Sequence, residues 1–191
     1  MIEVDQFSPG LSREYLMAGF DSEEVKAYYN FMINMAVLLG ADRDAAEHEM
    51  GAALTLELKL AEFALPKEER RNKSGLYHPL SLAEVEKIFP EVSLAEYITA
   101  ITGVHLGQQE LLNVAVPGYL PAVRDLLASV PARVQANYLV WRIIMTSTDY
   151  LTSRAQVEAL QFNKALTGQS RQLPRWEKCV QAVAGLDNKA A

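Results

Sequence analysis

The sequence predicts an all-α fold of about seven or eight helices with at most one short strand pair, on three observations. Apolar residues recur every three or four positions over most of the chain, capping signatures open the periodic segments, and Gly or Pro closes them. Strand-like alternation appears only in Leu112-Asn113-Val114-Ala115-Val116, and only weakly.

The elements follow in order. Residues 1–20 read as an extended lead-in. Asp21-Ser22-Glu23-Glu24 supplies an N-cap and an acidic first turn, which suits the positive end of a helix. Val25, Tyr28, Met32, Met35 and Leu39 continue it as a stripe, and Gly40 stops it. A second helix is expected from about Asp44 to Ala64, striped by Met50, Leu54, Leu58, Ala61 and Leu65, with Pro66 beyond its end.

Lys67 to Ser74 is the most polar stretch and reads as a solvated connection. Two capping boxes follow, Ser81 with Glu84 and Ser93 with Glu96, each opening a short helix. Pro117-Gly118 and Pro131 stand at helix starts, where proline is tolerated. From Pro131 to about Tyr150 a helix carries Val134, Tyr138, Trp141 and Met145 on one face. Another runs from about Ser153 to Leu166 and closes at Gly168. The last, from Pro174 to about Leu186, carries Trp176, Val180 and Val183.

Composition bounds the function. The chain has 191 residues, half of them apolar, 22% charged, with net charge −6 and one cysteine. That length and apolar content suit one domain with a real core and exclude a disordered or fibrous chain. One cysteine excludes an intrachain disulfide framework. The acidic balance argues against a nucleic-acid partner, because phosphates demand clustered Lys and Arg. No apolar run approaches the ~18 residues of a membrane span. The N-terminus, Met1 to Asp5, lacks the basic start and apolar block of a signal peptide. A soluble globular domain is the expectation.

No catalytic constellation is visible. His48-Glu49-Met50-Gly51-Ala52 has half of the H-E-x-x-H zinc helix, with Ala52 where the second His belongs. It reads as an exposed His-Glu pair. His78 and His105 lie in expected loops without ligand spacing to each other or to Cys179. Cys179 itself reads as a half-buried packing position. Glu47, Glu49, Glu57 and Glu62 read as a solvated helix face rather than acid/base groups. Arg70-Arg71 could grip a phosphate or carboxylate, but a charged loop explains the pair better. Tyr28, Tyr29, Tyr138 and Trp141 fall at helical spacing and read as core. Asn72-Lys73-Ser74 is an N-x-S sequon in the most polar loop, which makes Asn72 a glycosylation candidate.

Ordered motifs along the chain carry a resemblance. Val4-Asp5-Gln6, with Pro9 through Leu16, is similar to the segment "DQ…GLPSRDYYL" of the neprilysin and endothelin-converting-enzyme family of zinc metallopeptidases. Tyr29 to Gly40 resembles that family's "Y…FM…LLG" helix, and Leu56 to Ala61 its "LE…LA". Glu69-Arg70-Arg71-Asn72 and Leu76 to Glu84 resemble "EERRD…LYNKMTLAEL". Val114 to Leu120 is similar to "VVVYAPEYL", Gln135 to Arg142 to "LQNYLLWR", and Leu166 through Val180 to "LYG…LPRWKRCV".

The resemblance implies part of the N-terminal half of such an enzyme, from the helical lid lobe, with the lead-in 1–20 and the lid segment 21–191. It implies a zinc-dependent metalloendopeptidase that cleaves oligopeptides and sits outside the cell or at its surface. The zinc motif H-E-x-x-H, the later Glu ligand and the peptide-binding N-A-Y/F segment belong to the family's C-terminal half. None stands in this sequence. No catalytic, metal-binding or cofactor-binding residue is therefore carried over, and this chain is expected to bind no zinc and to be inactive alone. Its expected partner is the catalytic domain of the same polypeptide. A stand-alone peptide- or protein-binding module derived from a lid is the alternative, and a helical scaffold of unrelated ancestry is the third reading. Two departures stand out. Gln172 replaces a cysteine common in relatives, which removes a local disulfide with Cys179 and fits a bacterial relative or an insect-like paralogue at least as well as a heavily cross-linked mammalian ectodomain. His78 replaces the usual Asn in a turn.

Overall fold

The computed structural model describes residues 2–190, with side chains through residue 185. Its α-helices are α1 (Arg13–Leu16), α2 (Glu23–Leu38), α3 (Arg43–Phe63), α4 (Leu82–Ile88) and α5 (Leu94–Thr102). They continue with α6 (Tyr119–Ser129), α7 (Ala132–Ser147), α8 (Ser153–Thr167) and α9 (Arg175–Ala190). Three short strands, β1 (Ile2–Val4), β2 (Pro79–Ser81) and β3 (Leu111–Val114), complete the fold.

Local chemistry sets the helix ends. Ser22, Asp42, Ser81, Ser93 and Thr152 each accept backbone N–H bonds at an N-terminus, satisfying donors the helix leaves open. Ser81 and Glu84 form the complete reciprocal box, whereas Ser93 makes only the Ser half with the Glu96 amide. Gly168 closes α8 at φ 75°, a left-handed conformation that favours glycine.

The main core lies where α2 and α3 pack together, with α8 against α2 and α7 against α3. Val25, Tyr28, Met32 and Met35 are buried from α2 as the stripe requires, but Leu39 at its end is exposed. Aromatic rings lock the layer. Phe31 stacks on Phe162 of α8 with centroids 5.2 Å apart, and Trp141 of α7 meets both Tyr28 and Phe31 edge-on.

A smaller core gathers Leu82, Val85, Leu112 and Val114 beside the sheet. Strand order is β1-β3-β2, with β1 parallel and β2 antiparallel to β3. Among the described residues three strands, rather than at most one pair, are therefore present. The extra strand is β1, whose partner lies more than a hundred residues away (Ile2 opposite Leu112), so local periodicity carries no trace of it.

The lead-in is also less extended than expected. Leu16 is buried and Arg13 Nε donates to the Ala61 carbonyl at 3.0 Å, which docks the single turn α1 on the end of α3.

Candidate functional site

Glu57 stands at the centre of the molecule. It occupies the middle of α3, between Met50, Ala53 and Leu54 on one side and Leu60 and Ala61 on the other, and its side chain has no exposed surface. Expected on a solvated face, it is the most deeply buried charged group among the described residues. A carboxylate in such a place needs donors around it. The Gly10 amide donates to Oε1 at 2.6 Å, Tyr138 Oη to Oε1 at 3.3 Å, and Tyr28 Oη to Oε2 at 2.9 Å. Arg142 Nη1 lies 3.5 Å from Oε1, and Trp141 Nε1 donates to Tyr28 Oη at 2.7 Å. Burial pushes the Glu57 carboxyl above the usual glutamate range, and the Gly10, Tyr28 and Arg142 donors offset part of that shift. The same burial, with Glu57 alongside, pushes both tyrosine hydroxyls up.

These bonds fasten the lead-in as a strap across the helices. Val4 pairs in the sheet, and Asp5 takes a forked ion pair from Arg70 at 2.9 and 2.5 Å. Arg70 holds the Asp5 carboxyl below the usual aspartate range. The Gln6 side chain bonds both backbone groups of Leu65, at 2.8 and 3.2 Å. Arg142 Nη1 donates to the Ser8 carbonyl at 2.8 Å, and its guanidinium lies over the Phe7 ring. Gly10 passes so close to α2 that a Cβ there would overlap Tyr28 Oη. Glycine is required at that point by space rather than by φ. The network is a structural clamp: Glu57 is sealed, its acceptors are occupied, and no bound reactant can reach it.

The other candidates are scattered. His48 is exposed on α3, and Glu49 beside it is half-buried, taking donors from Arg133 Nε at 2.6 Å and Asn137 Nδ2 at 2.5 Å. Glu47 and Glu62 are exposed, as expected. His78 and His105 lie in loops, as expected, at opposite ends of the β2–α5 segment. Cys179 is exposed, not half-buried, because the α9 face expected to pack around it is itself uncovered. Tyr28, Tyr138 and Trp141 are buried core, and Tyr29 is half-buried, donating to the Glu47 carbonyl at 2.7 Å. Arg71 is exposed; Arg70 is engaged by Asp5. Asn72 is exposed.

Among the described residues no group of three or more His, Cys, Asp or Glu side chains converges as a metal would need. A cleft of about 460 Å³ lies along Asp5–Pro9, Arg13, Leu65, Lys67 and Arg70. Its cations are already committed: Arg13 to Ala61, Arg70 to Asp5, and Lys67 to Glu14 at 3.4 Å.

The surface carries a second kind of feature. Trp176, Val180 and Val183 form an apolar stripe on α9 and are 69%, 60% and 63% exposed. Leu139 and Ile143 do the same on α7. Tyr97, Ile101 and Val104 line a third patch on and just after α5. A helix with an apolar stripe ordinarily covers it, so these faces call for a partner. No helix among the described residues is long and apolar enough to cross a membrane.

Comparison with known proteins identifies the family. The N-terminal profile of peptidase family M13 matches residues 1–190. Neprilysin-2 of Drosophila melanogaster is 39% identical over 190 residues, covering 98% of this chain and 24% of that protein. Endothelin-converting enzyme 1 of Rattus norvegicus is 31% identical over 185 residues, covering 94% of this chain and 24% of that protein. The chain thus spans about a quarter of the length of the curated relatives it matches. In fold it is similar to a zinc metalloprotease of Mycobacterium tuberculosis in its open state, with TM-score 0.86 at 24% identity, over 95% of this chain and 28% of that one. The chain belongs to peptidase family M13, of which it forms the N-terminal domain.

Proposed function

We propose that this chain is the N-terminal lid portion of a zinc-dependent metalloendopeptidase that cleaves oligopeptides. The zinc ligands and the catalytic glutamate are supplied by a C-terminal catalytic domain of the same polypeptide, and the protein works outside the cell or at its surface. The observation that carries this reading is the family match over residues 1–190, with relatives about four times longer. Two features of the chain support it. Ala52 stands where a zinc helix built on His48-Glu49 would need its second His, which fits catalytic chemistry carried elsewhere in the polypeptide. The uncovered stripes of α7 and α9 offer the docking surface such an arrangement needs.

Within that enzyme the chain's own residues bind and position. The strap and the Glu57 clamp keep α2, α3 and α7 in register, so the lid presents rigid helix faces to the catalytic domain. Zinc bound by the ligands of that domain would supply the Lewis acid that polarises a scissile carbonyl and lowers the pKa of a water.

The test compares two proteins against a bradykinin-sized peptide with zinc present. The 191-residue chain alone should leave the peptide intact. The polypeptide extended through the sequence that follows residue 191 in the transcript should cleave it, losing activity to a chelator and regaining it with zinc. Zinc-dependent cleavage by the 191-residue chain, or an extended polypeptide without peptidase activity, would overturn the reading.

A further inference from the structure

Asn72 carries a modification chemistry that the lid reading leaves unused. It is the only asparagine in the sequence followed two positions later by Ser or Thr, and the intervening residue, Lys73, is not proline. Asn72, Lys73, Ser74 and Gly75 are all exposed. They form a knuckle fixed at both sides. Arg70 is tied to Asp5 before it, and Leu76, buried in the short 3-10 turn Ser74–Leu76, anchors it after.

The side-chain amide is oriented. Asn72 Oδ1 accepts from Ser74 Oγ at 2.8 Å and from the Gly75 amide at 3.3 Å, so the hydrogen bonds of this side chain fall on its oxygen. The nitrogen carries neither of these bonds and lies beside Gly75. Gly75 leaves room beside it: a Cβ at this position would lie 3.0 Å from Asn72 Nδ2 and 3.3 Å from Cγ. The hydroxyl that the sequon requires is thus on the amide oxygen, in a segment whose residues are all exposed.

We propose that Asn72 bears an N-linked glycan. In the transfer, Nδ2 forms a bond to the anomeric carbon of an oligosaccharide carried on a polyisoprenyl diphosphate. The anomeric C–O bond breaks, the lipid diphosphate leaves, and one Nδ2 proton passes to a base of the transferase. No redox partner is needed. The proposal rests on the extracellular reading, since the donor is met only on the secretory route. It also orients the assembly. A glycan keeps other protein surfaces away from the knuckle, so the 67–75 segment faces solvent while the α7 and α9 stripes face the catalytic domain.

The protein is expressed in a eukaryotic secretory host behind a standard leader, treated with peptide-N-glycosidase, and the peptide spanning Asn72 is analysed by mass spectrometry. One glycan is expected, its enzymatic release leaving an aspartate in place of the asparagine. It should be absent from N72Q and S74A and retained in S74T. An unmodified Asn72 in the secreted protein overturns the glycan. A glycan in the leader-driven protein but none in the protein from its native source overturns instead the extracellular reading on which the natural modification depends.

Discussion

Replacing Glu57 with Ala leaves the Gly10 amide and the Tyr28 and Tyr138 hydroxyls without their acceptor, and Arg142 without its counter-charge. Breaking a buried charged cluster from one side costs about 3–5 kcal/mol, so E57A should lower the urea midpoint by a large fraction of the chain's stability. The pH dependence has a definite sign. With its carboxyl pushed above the glutamate range by burial, Glu57 contributes most below the ordinary glutamate value and loses that contribution as pH rises through its raised one. The stability of wild type relative to E57Q should therefore fall as pH rises, a trend that a series of denaturant melts reads directly; a gap that grows with pH would contradict it. A signal for this residue exists in the sequence. Glu57 falls four residues after Ala53, three after Leu54 and three before Leu60, squarely within an apolar stripe. What is not legible there is the compensation: its donors come from positions 10, 28, 138 and 142, brought together only by the folded chain.

At the scale of elements, the strap behaves differently from the helices. Helix positions are readable to within a few residues because caps and 3.6-residue periodicity are local. Strand β1, the turn α1 and the Asp5–Arg70 pair depend on contacts tens of residues apart, and nothing near them in the chain announces their partners. Asp5 gives the strap its own pH signature, opposite to that of Glu57. Arg70 lowers its pKa, so its contribution is present above the ordinary aspartate value and is lost as pH falls through the lowered one. D5N should flatten the acid limb of the stability profile while leaving the limb governed by Glu57 in place. Both side chains of the pair are about a third exposed, so the effect should be modest and weaken with salt. An acid limb unchanged in D5N would remove the pair from the account of acid stability. The α9 stripe tells the complementary lesson. Trp176, Val180 and Val183 share one face of a helix, as their spacing requires, but periodicity reports which face is apolar, not whether this stretch of chain supplies the cover.

For the whole molecule, the proposed lid reading links the uncovered faces to the family membership: the chain spans a quarter of its relatives' length, and under that reading a catalytic domain would cover these faces. The two tryptophans make this measurable, because Trp141 is buried at 2% exposure and Trp176 stands out at 69%. Hydroxyl-radical footprinting with peptide mass spectrometry should be run on the 191-residue chain and on a polypeptide extended through the proposed catalytic domain. In the chain alone, Trp176, Leu139 and Ile143 should oxidise readily and Trp141 only slowly. In the extended protein the first three should become strongly protected, while the residues flanking Asn72 stay as reactive as before. Equal oxidation of Trp176, Leu139 and Ile143 in both proteins would contradict the assignment of these helix faces to the contact between lid and catalytic domain.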